Sequence, residues 1–134
     1  MKLLRLTLAT RVKSYAQVTP LEPPQLPPGG RAIVYFELQG WKPVIRDDGM
    51  QLTEVHYTVQ ILDNSGAPVW SDMLQKAKDL SRAERKDLYV TRLLTVPASM
   101  VPGKYSLRVV ASDPASGEEA SAVIPLEVQA LAAK

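Results

Sequence analysis

The chain has 134 residues, 46% of them hydrophobic and 22% charged, and its 16 basic and 14 acidic side chains leave a net charge of +2. That length holds one domain with a real core, and that charge is too small to imply nucleic-acid binding by bulk electrostatics. With no Cys and a single His, disulfides, thiolate metal sites, cysteine nucleophiles and multi-histidine metal centres are excluded, and little room is left for a Ser-His-Asp triad.

The chain opens with Leu4, Leu6, Leu8 and Val12 on one parity and Arg5, Thr7, Arg11 and Lys13 on the other, which predicts a long amphipathic first strand. Arg5 interrupts the leucines and no cleavage site follows, so a signal peptide is not expected here. Either the protein is cytoplasmic or the chain is a mature segment of something longer. No apolar run approaches the roughly 20 residues of a membrane span, so no membrane insertion is expected.

Thr19–Gly30 carries five prolines in ten residues, which forbid helix and central strand. Its P-x-x-P spacing has the form of an SH3-type ligand. Flanking strands on both sides favour instead an extended crossover from one sheet to the other. Ala32, Val34, Phe36 and Leu38 alternate with Ile33, Tyr35 and Glu37, a second strand buried on both faces. Gly40–Gly49 reads as a loop. The third strand is the cleanest, with Val55, Tyr57, Val59 and Ile61 facing one way and Glu54, His56, Thr58 and Gln60 the other. Asp63-Asn-Ser-Gly66 turns the chain into a short partner, Pro68–Leu74.

Gln75–Asp87 breaks the alternation. It is dense in charge, and Ser81-Arg-Ala-Glu84 has the capping-box form, which allows a short helical turn near 81–87. A fifth strand, Leu88–Val96, leaves its parity open, since Leu88, Val90, Leu94 and Val96 share a face with Arg92. A Pro102-Gly103 turn then opens a sixth, with Tyr105, Leu107, Val109 and Ala111 on one side. The seventh contains Ala120, Ala122, Ile124, Leu126 and Val128, and Pro125 marks it as an edge. Seven strands with regular turns predict an all-β, two-sheet antiparallel sandwich spanning 1–128, with 129–134 as a tail; a closed barrel is the rival.

Three stretches carry a likeness: Leu26-Pro-Pro-Gly-Gly30, Ile61-Leu-Asp-Asn-Ser-Gly-Ala-Pro-Val-Trp70, and Val101-Pro-Gly-Lys-Tyr-Ser-Leu-Arg-Val109. Together they resemble a bacterial immunoglobulin-like or fibronectin-III-like domain, in particular the terminal domains of large uncharacterised cell-envelope proteins. The resemblance implies an immunoglobulin-like sandwich with Tyr105 as a tyrosine corner. It further implies a non-catalytic structural or protein-interaction module in an envelope or extracellular assembly, with neighbouring domains or a protein as partner. The hairpin alone is similar to immunoglobulin-like proteinase-inhibitor domains.

Candidate sites are few. Trp41 and Trp70, if exposed together, would form a platform for sugar rings or a partner, making a carbohydrate-binding module the first alternative function and a proteinase inhibitor the second. If not, they pack on core and rim. Arg82, Arg85 and Lys86 could contact a partner, although neighbouring acids offset their charge. His56 reads as a solvated strand residue. Asp47, Asp48 and Asp63 read as turn formers without calcium-loop spacing. No nucleophile frame surrounds any Ser, so the expectation is no enzyme, no cofactor, no metal and no nucleic-acid partner.

Overall fold

From Val55 to Ile61 every second residue of the long central strand is apolar and buried, and the fold is laid out around it. The computed structural model describes residues 1–83 and 87–130. They form eleven strands: β1 (Lys2–Ser14), β2 (Gln17–Pro20), β3 (Gln25–Leu26), β4 (Arg31–Gln39), β5 (Val44–Ile45), β6 (Gln51–Leu62), β7 (Pro68–Ser71), β8 (Gln75–Ser81), β9 (Asp87–Thr95), β10 (Gly103–Ser112) and β11 (Glu119–Val128). The first sheet runs β2-β1-β4-β9; the second runs β3-β11-β10-β6-β5, with β7 and β8 also on β6. The protein is thus an all-β two-sheet sandwich.

The core lies between the sheets. Val34, Phe36 and Leu38 of β4 meet Val55, Tyr57, Val59 and Ile61 of β6 and Leu107, Val109 and Ala111 of β10. The Phe36 and Tyr57 rings pack edge to face with centroids 5.3 Å apart. Each large apolar side chain removed from water in this layer stabilises the fold by roughly 1.5–3 kcal/mol. At one end the Tyr105 hydroxyl donates to the Val101 carbonyl at 2.5 Å, closing the loop before β10 as a tyrosine corner does.

Four expectations change. The strands number eleven, because β2 and β3 make short pairings with β1 and β11 at the start of the expected crossover and within it, and because β6 is too long for one partner on each side. β10 covers His56–Leu62 and β5 covers Gln51–Leu52 on one edge, while β7 and β8 share the other. The sheets are not wholly antiparallel, since β3 pairs with β11 in parallel at Glu127 and Val128. Gln75–Ser81 is an edge strand that keeps Lys76, Lys78 and Leu80 exposed, a pattern that charge density disguised. Of the helical turn expected near 81–87, residues 82–83 form a bend and 84–86 lie outside the described residues.

The fourth change is in β1. Its pairing with β4 shifts between Leu4 and Thr7, where Arg5 takes a φ of 52°. This bulge inserts one extra residue and reverses the parity. Leu3 therefore packs on the core before it and Leu6 and Leu8 after it, while Leu4 lies opposite Glu37. Arg92, which left the parity of this strand open, lies on the inward face of β9, opposite Val34. It reaches the open edge of the sandwich and donates to Asp72 between β7 and β8 at 2.8 Å, tying the two sheets together.

Candidate functional site

The positions of β4 that alternate with the core are Arg31, Ile33, Tyr35, Glu37 and Gln39, on the outer face of the first sheet. The burial expected on both faces of this strand holds there for Glu37, 0% exposed, and Tyr35, 1%. The β1–β2 hairpin causes this. Ser14 pairs with Gln17, leaving Tyr15 and Ala16 as a two-residue turn in which Ala16 adopts a φ of 61°. That turn reaches over the sheet, and the Ala16 N–H donates to the Tyr35 hydroxyl at 2.9 Å. The same hydroxyl donates to Glu37 Oε2 at 2.5 Å, and Arg5 donates to Oε1 of the same carboxylate. A buried carboxylate needs such partners to offset its lost hydration. Burial, reinforced by the Glu37 hydrogen bond, pushes the Tyr35 hydroxyl pKa up to about 12.

Tyr89 of β9 pairs across the ladder with Glu37. Its ring stacks on Tyr35, with centroids 5.8 Å apart and planes at 26°, and Tyr15 meets it edge-on at 6.2 Å. Arg5, whose side chain is 64% exposed, lies near enough to Tyr15 and Tyr35 to feel both hydroxyls. The result is a half-roofed aromatic cluster with one cation at its rim.

Charge separates the two sheets. Lys2, Arg5, Arg11, Lys13 and Arg31 are all exposed on the strands of the first sheet, and Glu37 is the sole acid among the described side chains of those strands. In the second sheet Lys76, Lys78, Lys104 and Arg108 are matched in number by Glu54, Asp79, Glu119 and Glu127. The near-neutral total hides this asymmetry. A signal was present in the sequence, because four of the five cations precede Glu22, the first acid of the chain.

The residues singled out from the sequence do not converge. Trp41 is buried, and its indole N–H donates to Thr53 Oγ1 at 3.0 Å. Trp70 is half-buried against the core, paired with Ile61. Thr53 and Ile61 are eight residues apart on β6, roughly 25 Å at strand rise. The two rings therefore share no exposed platform, which removes the basis of the carbohydrate reading. Arg82 is exposed in the bend after β8, and Arg85 and Lys86 lie outside the described residues.

His56 lies on the outer face of β6, half-buried, with Nε2 2.5 Å from Glu54 Oε2. That hydrogen bond, with Lys78 on the other carboxylate oxygen, holds the Glu54 carboxyl below its ordinary range. Asp63 likewise titrates low, through the Ser65 hydroxyl and the turn amides. Asp113 is buried and accepts from the Lys42 and Ala115 amides and the Ser116 hydroxyl, a role in holding loops. Among the described residues no group of three or more His, Cys, Asp or Glu side chains is placed to hold a metal ion.

No family model matches the chain, and no curated protein matches it. Among solved structures it is similar to the alkylpurine DNA glycosylase AlkC of Pseudomonas fluorescens bound to DNA containing an abasic site analog, with a TM-score of 0.50 and 15% identity. The likeness covers 96% of this chain and 30% of that one, so the chain spans less than a third of the protein it matches. At that identity the likeness is one of fold.

This finding corrects the resemblance drawn from sequence. The three stretches pointed to terminal domains of bacterial envelope proteins, but they are built of turn and strand residues that many sandwiches share. The matched fold belongs to a DNA glycosylase bound to DNA. The expectations of a non-catalytic envelope module, of no enzyme and of no nucleic-acid partner therefore fall together. The last rested on net charge, which averages over two unlike sheets.

Proposed function

We propose that this sandwich is a DNA-contacting domain, working in the kind of chemistry that a DNA glycosylase represents. The observation that carries the reading is the first sheet, with five exposed cations and no exposed acid among its described strand side chains. Phosphate contacts of this kind position a protein on a duplex without reading its sequence. The fold shared with part of a DNA-bound glycosylase supports the same reading.

Fluorescence anisotropy of a labelled duplex, with and without an abasic-site analog, tests it. Binding should weaken steeply between 50 and 200 mM salt, with a log–log slope of about −0.9 per phosphate contacted. The paired change Arg11→Glu and Lys13→Glu should weaken binding at least tenfold, whereas Lys76→Glu and Lys78→Glu on the second sheet should leave it within about twofold. Absence of salt-dependent binding, or equal losses from both pairs, would overturn the proposal.

A further inference from the structure

The outward row of β9 is Tyr89, Thr91, Leu93 and Thr95, paired in turn with Glu37, Tyr35, Ile33 and Arg31 of β4. This row borders the roofed cluster but is itself open: Tyr89 is 38% exposed and Leu93 58%. It runs about 20 Å at strand rise, with Arg5 beside the tyrosines at one end and Arg31 at the other.

Phosphates alone ask only for cations. They do not ask for an exposed tyrosine held rigidly in place. Tyr89 is held so by its stack on Tyr35, whose hydroxyl is fixed by Glu37 and the Ala16 amide. A ring so supported loses little freedom when a second flat group lies on it. Aromatic faces set between cations are what single-stranded nucleic acid uses, with bases on the rings and phosphates on the cations. A sugar would want polar groups converging around the ring, and an acidic peptide would leave the aromatic and Leu93 surfaces unused.

We infer that the β9 row, from Tyr89 to Thr95, binds unpaired DNA nucleotides, with a base stacked on Tyr89, the phosphate beside it on Arg5 and a phosphate further along the strand on Arg31. This rests on the DNA-contacting reading and adds to it the form of DNA preferred at this surface. The bases of an intact duplex are already stacked on one another and cannot reach the ring.

The test uses the full chain and three forms of one oligonucleotide carrying 2-aminopurine: single strand, duplex with the 2-aminopurine unpaired opposite a gap, and intact duplex. The protein should change 2-aminopurine emission in the first two and not in the third. Tyr89→Leu, which keeps an apolar side chain over Tyr35, should lose on the order of tenfold in single-strand affinity. Tyr89→Phe should keep it, and both should bind intact duplex like the parent. If Tyr89→Leu binds single strand as tightly as the parent, or loses single strand and duplex equally, the stacking site is wrong while the DNA contact stands. If the parent binds none of the three forms, both inferences fail. The emission change in the parent decides the matter without any variant, should Tyr89→Leu prove unstable.

Discussion

The two outer faces of this sandwich follow the same alternation and come to opposite ends. On the second sheet, Glu54, His56, Thr58 and Gln60 alternate with the core and remain half-buried at the surface, where Glu54 meets His56 and Lys78. On the first, Tyr35 and Glu37 occupy the equivalent parity of β4 and are sealed beneath a hairpin turn. Parity states which sheet face a side chain takes. It says nothing of what later lies across that face. The first face carries exposed cations that its described strand side chains leave unbalanced, whereas the second balances its own charge. The face with the stronger claim to a polyanion is thus also the one that stores its acid out of reach.

Changes at matched positions would break or sharpen that contrast. The largest effect is expected for Tyr35→Phe. It leaves the Ala16 amide without its acceptor and takes one donor from a buried carboxylate, so denaturant unfolding should show a loss of about 1–3 kcal/mol. The matched change on the open face, Thr58→Val, should stay within about 0.5 kcal/mol. Equal losses would mean that the hairpin does not roof the first sheet. The same variant has a pH signature. Because the Tyr35 pKa is raised, to about 12, its contribution is whole below the ordinary tyrosine value near 10 and is lost as pH rises through about 12. The stability gap between the parent and Tyr35→Phe should therefore narrow across that window.

A smaller effect is expected at the corner. Tyr105→Phe removes one hydrogen bond to Val101, in a partly exposed setting, and should cost about 1 kcal/mol. The smallest belongs to the open face. Glu54 titrates below its ordinary value, so what it contributes is present above about pH 4.3 and is lost as pH falls through its lower folded value. Glu54→Gln should therefore cost a small amount at neutral pH, less than Tyr105→Phe, and flatten that acid limb in a urea titration. A loss at neutral pH comparable to that of Tyr35→Phe would show the second face to be the more tightly built.

Much of the fold was legible in the residues. Val55 to Ile61, Leu107 to Ala111 and Ala32 to Leu38 alternate without interruption, and all three sets are core. Pro102-Gly103 before Tyr105 announced the corner. What escaped was decided by register and by distant cover. Nothing local to Lys2–Ser14 marks Arg5 as a bulge, since the residue is neither Gly nor Asn, so the leucines were assigned to one face. Lys76, Lys78 and Asp79 hid an edge strand because a strand with one open side tolerates charge. The cluster at Glu37 draws on Arg5, Tyr15, Ala16, Tyr35 and Tyr89, which come from three strands and a turn. The charge asymmetry was readable from the first 21 residues, but only once strands were sorted by sheet did the balance of the whole cease to matter.

The bulge at Arg5 also sets a rule for length. β1 is written with one residue more than its partner needs, so deleting Arg5 would not simply remove a side chain. It would restore an unbroken two-residue rhythm from Lys2 onward. Leu3, Leu6 and Leu8 would keep the core face and Leu4 the outer one, so the loss would fall on Glu37, which would give up its cation. The extra residue in this strand thus serves the site more than the core. A homologue lacking that one residue should also be found to have replaced the acid at position 37.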